Sequence, residues 1–289
     1  MRLKQRALFV GLSAMLGLGV SWLAGSIMVA GHHSRVEAAV LPSRDFRLVT
    51  RDGVGIAATF TPGRATRSPA VLLLHGVGAS REETARNAAW LASLGYATLT
   101  IDFRGHGQSD IAARTFGLDE ASDAQVAFDW LRHRQGGAPV AVIGISLGGA
   151  ASLLGKDGPL RVNALILQAV YPDIRHAIRN RIASRTSTGI GYLLELLLSF
   201  QAPLRFGVWP SRLSPLAALR RYHGPVLIIG GAKDRSTPPA ESRAMFAAAR
   251  WPKSLWLVPI GDHADICGLT DAAYRNHVKT FLAKVMPTP

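Results

Sequence analysis

The chain is 289 residues long and 48% hydrophobic, enough to bury the core of one full-sized α/β domain and too apolar for a disordered chain. Its formal net charge is +14 at pH 7, yet the basic residues are scattered among apolar runs and no nucleic-acid module is visible, so no nucleic-acid partner is expected. The lone Cys267 excludes an intramolecular disulfide, and no Cys, His and carboxylate cluster has metal-ligand spacing, so neither a metal nor a cofactor is expected.

Arg2, Lys4 and Arg6 open the chain, and residues 7–30 then run without a charge. As a helix this stretch is roughly 36 Å long and spans a bilayer. An uncleaved anchor is the expected reading. A cleaved signal peptide competes, although its apolar region is usually about 7–15 residues and the small-residue cleavage signals here are weak. Arg35, Arg44 and Arg47 follow the span and blunt the positive-inside contrast, but long translocated domains are largely indifferent to such charges. The expectation is a single-pass protein with its folded domain outside the cytoplasm, periplasmic or extracellular, or secreted if the leader is removed. The excess of positive charge suits an anionic membrane surface beside the anchor.

Residues 31–44 read as a linker, with His32 and His33 a solvated pair, and residues 45–289 as the folded domain. Residues 46–50 and 54–61, joined by the turn Arg51, Asp52, Gly53, have a hairpin signature. The apolar run 70–74 is of strand length. Helical and strand patterns then alternate: helix 82–94, strand 97–102, helix 120–132, strand 140–145, helix from Ala150. Residues 164–170, 226–230 and 254–258 supply further strands, and 271–285 a closing helix. Continuous apolar strands alternating with helices imply a mostly parallel sheet covered on both faces. Between Tyr171 and Tyr222 about fifty residues pass without a strand-like run, long for a simple crossover. Residues 171–221 are therefore expected to form a small helical lid.

The chemistry centres on Gly144, Ile145, Ser146, Leu147, Gly148, directly after the run 140–143. A Gly-x-Ser-x-Gly between a buried strand and a helix reads as a nucleophile elbow, whose crowded turn excludes Cβ atoms at both glycines. A serine nucleophile needs a base and an acid that orients that base. Downstream strand ends offer Asp234, after 226–230, and His263, after 255–258. Asp173, one strand earlier, competes for the role of acid, whereas Asp262 and Asp265 are poorly placed for the inner nitrogen of a histidine so near in sequence. An oxyanion needs backbone N–H donors, one from the residue after the nucleophile, Leu147, and one from the loop after strand 70–74, assigned to Val77. His75 is then a loop organiser, His106 a structural turn residue, and Cys267 a small buried apolar side chain.

His75-Gly76, the segment Asp102-Phe103-Arg104-Gly105-His106-Gly107-Gln108-Ser109, the Ser146 elbow, Asp234 and His263 together resemble the α/β-hydrolase superfamily, in its branch of monoacylglycerol lipase-like and serine aminopeptidase-like (S33) members. The resemblance covers roughly residues 45–285 and implies the α/β-hydrolase fold, with Ser146 as nucleophile, His263 as general base and Asp234 as its orienting acid. It implies hydrolysis of carboxylic esters, lipid or acyl esters among them, through an acyl-enzyme. A serine aminopeptidase or amidase is the alternative, and a noncatalytic binding protein on the same fold is the alternative of another class. The expected partner is a small-molecule ester or lipid, beside the membrane itself. The lid carries no family motif. It does hold eight arginines, from Arg175 to Arg221, against Asp173 and Glu195, and an apolar stretch, 192–200, interrupted only by Glu195. That stretch is expected either to pack over the site with the arginines in water, or to line an acyl groove beside cationic residues.

Overall fold

Eight runs rich in Val, Ile and Leu become strands in the computed structural model, which describes residues 2–269 and 271–287. They are β1 (Arg44–Val49), β2 (Gly55–Thr61), β3 (Ala70–Leu74), β4 (Ala97–Ile101), β5 (Val140–Ile145), β6 (Ala164–Gln168), β7 (Val226–Gly231) and β8 (Lys253–Val258). One sheet holds them in the order β1-β2-β4-β3-β5-β6-β7-β8. Only β2 runs against the rest, antiparallel to both β1 and β4.

The helices are α1 (Arg2–Val29), α2 (Glu82–Ser93), α3 (Glu120–Arg134), α4 (Leu147–Leu153), α5 (Ile174–Ala183), α6 (Thr188–Ser199), α7 (Ala202–Phe206), α8 (Pro215–Leu219), α9 (Pro239–Ala248), α10 (His263–Cys267) and α11 (Ala272–Val285). Leu72 and Leu74 of β3 pack with Ala124 and Leu131 of α3, Leu153 of α4 and Met245 of α9. Val71 and Leu73 point the other way, into a second core with Leu91 of α2 and Tyr274, Val278 and Leu282 of α11. Both faces of the central strands are therefore buried, which is why β3 and β5 read as continuous apolar runs. Each such leucine contributes roughly 1.5–3 kcal/mol by burial.

Chain direction across the sheet reverses between β3 and β5: β3 leads to β4 on one side, and β4 returns past β3 to β5 on the other. Loops leaving the carboxyl ends of strands diverge at such a point and leave a crevice. The elbow after β5 and the loop after β3 both open there.

Three expectations change. The helix after the elbow begins at Leu147 rather than Ala150, with no intervening loop. Residues 31–37 are docked rather than a solvated linker: the His32 and Ser34 amides donate to Gly105 and Gly107 carbonyls at 3.1 and 3.0 Å, and Val36 is buried. His33 Nε2 lies 3.1 Å from the Ser109 carbonyl and His32 Nδ1 2.7 Å from the Arg114 guanidinium, so the exposed pair is bonded. The turns after β4 leave carbonyls that need donors, and the chain emerging from α1 supplies them. Finally, the apolar stretch 192–200 falls mostly in α6, which turns its carboxylate inward: Gly191, Glu195 and Ser199 are buried while Leu193 and Leu196 are exposed. Leu8–Val29 of α1 is long and apolar enough to cross a membrane.

Candidate active site

Ser146 follows β5 at φ 46°, ψ −105°, a backbone conformation that L-residues rarely adopt. Its own amide is tied to the Gln168 carbonyl at 2.8 Å, and the flanking glycines are sterically required. A Cβ on Gly148 would lie 2.3 Å from the Leu74 carbonyl oxygen, and one on Gly144 2.6 Å from the Gly149 backbone. Ser146 itself is 5% exposed.

Two amides beside it have no acceptor. Leu147 opens α4, where no intrahelical carbonyl can reach its N–H, and Val77 lies in the loop after β3; neither donates to any group among the described residues. The loop carrying Val77 is held from behind. Glu83 of α2 accepts the Gly76 amide at 2.7 Å, and burial pushes its carboxyl above the usual value. His75 is buried, with Nδ1 2.7 Å from the Gly76 carbonyl and Nε2 3.0 Å from the Phe103 amide. An amide can only donate, so Nε2 accepts and Nδ1 carries the proton. Burial, which disfavours the imidazolium, brings the His75 pKa down to about 4. His106, whose Nδ1 meets the Arg104 carbonyl at 2.9 Å, is likewise brought down to about 3 by burial.

Asp234 follows β7 and His263 opens α10 after β8. Asp234 Oδ1 accepts the Ser236 and Thr237 amides at 2.8 Å each, an Asx turn. Its Oδ2 accepts the Thr237 hydroxyl and faces His263 Nδ1 at 2.9 Å. Burial opposes ionisation here, but the His263 bond and the Thr237 donors outweigh it and hold the carboxyl below its usual range. A carboxylate at Nδ1 fixes the proton on that nitrogen and leaves the Nε2 lone pair available. Asp173 instead caps α5, bonding the His176 amide at 3.0 Å and His176 Nδ1 at 2.8 Å. Asp262 and Asp265 form a capping box at the start of α10, which orients the turn bearing His263. The side chain of Cys267 lies outside the described residues.

Ser146, His263, Val77 and Leu147 line one cavity of about 290 Å³. No hydrogen bond joins Ser146 to His263 among the described residues; such contacts commonly tighten when substrate binds. Much of the remaining lining is apolar, with Met28, Phe116, Ile174 and Ile178, beside the polar Tyr171, Ser236 and Thr237 and three cations, Arg114, Arg181 and Arg185, and it includes no carboxylate. Sequence reasoning missed Glu83, Thr237 and the Arg114 wall. Of these, only Thr237 had a local signal, in the Asp-x-Ser-Thr-Pro run that makes an Asx turn.

Comparison with known proteins agrees with this architecture. Residues 65–199 match the family described as serine aminopeptidase, S33. YfhR of Salmonella typhi, an uncharacterised protein, is 27% identical over 245 residues, covering 80% of this chain and 78% of that one. The lysophosphatidylserine lipase ABHD12 of Gallus gallus is 34% identical over 127 residues, which are 42% of this chain and 33% of the lipase. Among solved structures, the esterase Pf2001 of Pyrococcus furiosus superposes with a TM-score of 0.69 at 21% identity, over 88% of this chain and 99% of that one. The chain has the α/β-hydrolase fold, and its residues 65–199 are similar to the S33 family.

Proposed function

We propose that this protein is a serine hydrolase that cleaves carboxylic esters, its substrates carrying an apolar acyl chain. Ser146 Oγ attacks the ester carbonyl as His263 Nε2 takes its proton, Asp234 holds the imidazole in the required tautomer and stabilises the imidazolium, and the Val77 and Leu147 amides receive the oxyanion. The tetrahedral intermediate collapses, His263 returns the proton to the departing alcohol, and Ser146 keeps the acyl group. Water, deprotonated by the same nitrogen, then releases the acid and frees the serine. No cofactor enters this sequence.

The observation that carries the reading is the pair of acceptorless amides, Val77 and Leu147, beside a serine whose cavity also holds a histidine locked to a buried carboxylate. An aminopeptidase needs a negative group to hold its substrate's amine, and the cavity lining offers three arginines and no acid. That cationic lining favours esters with an anionic group near the acyl chain, in keeping with the lipase name of a distant relative. α1 serves as an uncleaved anchor, because Met28 near its end forms part of the cavity wall and removing it would open the site. With three basic residues at its start, α1 places the catalytic domain outside the cytoplasm. Residues 45–289 make that domain, with 171–221 as its lid.

A fluorophosphonate probe tests the assignment. It labels the native protein and spares Ser146→Ala; labelling that survives the substitution refutes the mechanism.

A further inference from the structure

Helix α6 is inside out for a protein surrounded by water. Gly191, Glu195 and Ser199, spaced four residues apart, form the stripe that faces the protein. Glu195 is 1% exposed, paired with Arg175 at 2.7 Å and with the Ser199 hydroxyl at 2.6 Å. The opposite face carries Ile190, Tyr192, Leu193, Leu196 and Leu197, with Leu193 63% exposed, and α7 adds Leu204 at 80%. A helix that buries its only carboxylate and presents leucines outward needs an apolar medium on its outer side.

The neighbour of this face identifies that medium. α1 lies against α6 and α7: the Ser21 hydroxyl donates to the Leu197 carbonyl at 3.2 Å, and Gln201 Nε2 donates back to Ser21 at 3.0 and 2.9 Å. Arg205 donates to the Trp22 carbonyl at 2.6 Å and stacks on the Trp22 ring at 3.9 Å. Gly25 is part of the fit, since a Cβ there would lie 2.2 Å from Gln201 Oε1. Residues 8–20, the part of the apolar stretch before these contacts, measure only about 20 Å as a helix, short of the ~30 Å hydrocarbon core. A spanning α1 must therefore take its last two turns into the bilayer, and the α6–α7 face bound to those turns goes with them.

We infer that α6 and α7 form a second membrane contact, continuous with α1, which sinks the lid into the outer leaflet and opens the Ser146 cavity to lipid. The occupant of the exposed leucine face is the bilayer. Arg185, exposed at the cavity, suits anionic headgroups at the level of the interface. Met28, on the last turn of α1, is then a wall shared by anchor and cavity, along which a long-chain ester passes from the leaflet to the serine. The substrate route rests on the esterase reading above; the membrane contact does not.

The test uses the full chain in vesicles of phosphatidylcholine with a minority of phosphatidylglycerol, doped with a phosphatidylcholine bearing a photoreactive diazirine in its acyl chain. After irradiation, lipid adducts are expected on peptides from residues 190–204 as well as 8–20. Adducts confined to α1, or found on neither segment, overturn the proposal. Ser146→Ala should give the same adduct map, which separates this inference from the catalytic one. In a second arm, Leu193→Asp combined with Leu204→Asp should lower hydrolysis of a long-chain ester dissolved in the vesicles about tenfold, from lost apolar burial, and leave a short soluble ester unaffected. Equal effects on the two esters, or none, overturn the lipid-side entry.

Discussion

Replacing Asp234 by Asn should cost this protein most of its turnover without disturbing its fold. Oδ1 of Asp234 receives two backbone amides, from Ser236 and Thr237, so the carbonyl oxygen of the asparagine must occupy that side. Its NH2 group then faces His263 Nδ1 at the position where Oδ2 accepts at 2.9 Å. A donor there selects the tautomer protonated on Nε2, which cannot take the proton of Ser146. Turning the amide over restores the acceptor but sets NH2 against two N–H groups, a cost of roughly 3–5 kcal/mol. The reactive arrangement is thus populated about 10²–10⁴-fold less, and kcat for a short p-nitrophenyl ester should fall by that factor with KM nearly unchanged. Fluorophosphonate labelling should slow in parallel, and the ¹⁵N spectrum of His263 should report the Nε2–H form. An Asn variant of native melting temperature that keeps more than about a tenth of kcat refutes the role of Asp234 in fixing the tautomer.

Gly148→Ala would set a methyl group 2.3 Å from the Leu74 carbonyl oxygen, backbone against backbone, and should lower stability by about 1–3 kcal/mol in chemical denaturation. Glu83→Ala removes the acceptor of the Gly76 amide and should loosen the Val77 loop, reducing kcat about tenfold while leaving KM nearly unchanged. His75 sets a pH limit: folding suppresses its protonation, so its contribution to stability is complete above pH 6.5 and is lost as pH falls through about 4. The unfolding free energy should decline by a few kcal/mol as pH falls between those values in the native protein and by less in His75→Gln, with an unchanged slope refuting the assignment. Arg185→Gln, at the exposed side of the cavity, should raise KM several-fold for esters bearing a carboxylate or phosphate and leave neutral esters alone.

The sheet was legible because burial on both faces makes every position of β3 and β5 apolar, and the elbow was legible because Gly144 and Gly148 answer to backbone atoms a few ångströms away. His263 and Asp234 could be placed by the strand ends that carry them. What could not be read were contacts that no motif announces. Glu83 under the Gly76 amide has a short-range partner but no motif, and Arg114, wedged between the Gly105 carbonyl and His32, depends on a chain segment that arrives from α1. Residues 31–37 read as a linker because several of their bonds are made by backbone amides, which any residue type supplies, and the His32 and His33 bonds go to partners far along the chain.

The orientation of α6 was hidden for a different reason. Helical periodicity says that a stripe of Gly191, Glu195 and Ser199 lies opposite a stripe of leucines, but not which stripe meets the protein. In water the answer is the leucines, and that is the usual assumption. Here Arg175 and Ser199 satisfy the Glu195 carboxylate, and α5 approaches so closely that a Cβ on Gly191 would lie 2.8 Å from the Arg179 carbonyl oxygen. The polar stripe is thus the one that fits, and the leucines are left for whatever lies outside. The same inversion is found on α1, where Ser21 and Gly25 face the lid and Leu18 and Leu23 do not. Two neighbouring helices that join through small and polar residues and turn their leucines outward follow the packing rule of a membrane interior. An exposed leucine face on both helices is what the proposed membrane contact of α1, α6 and α7 requires.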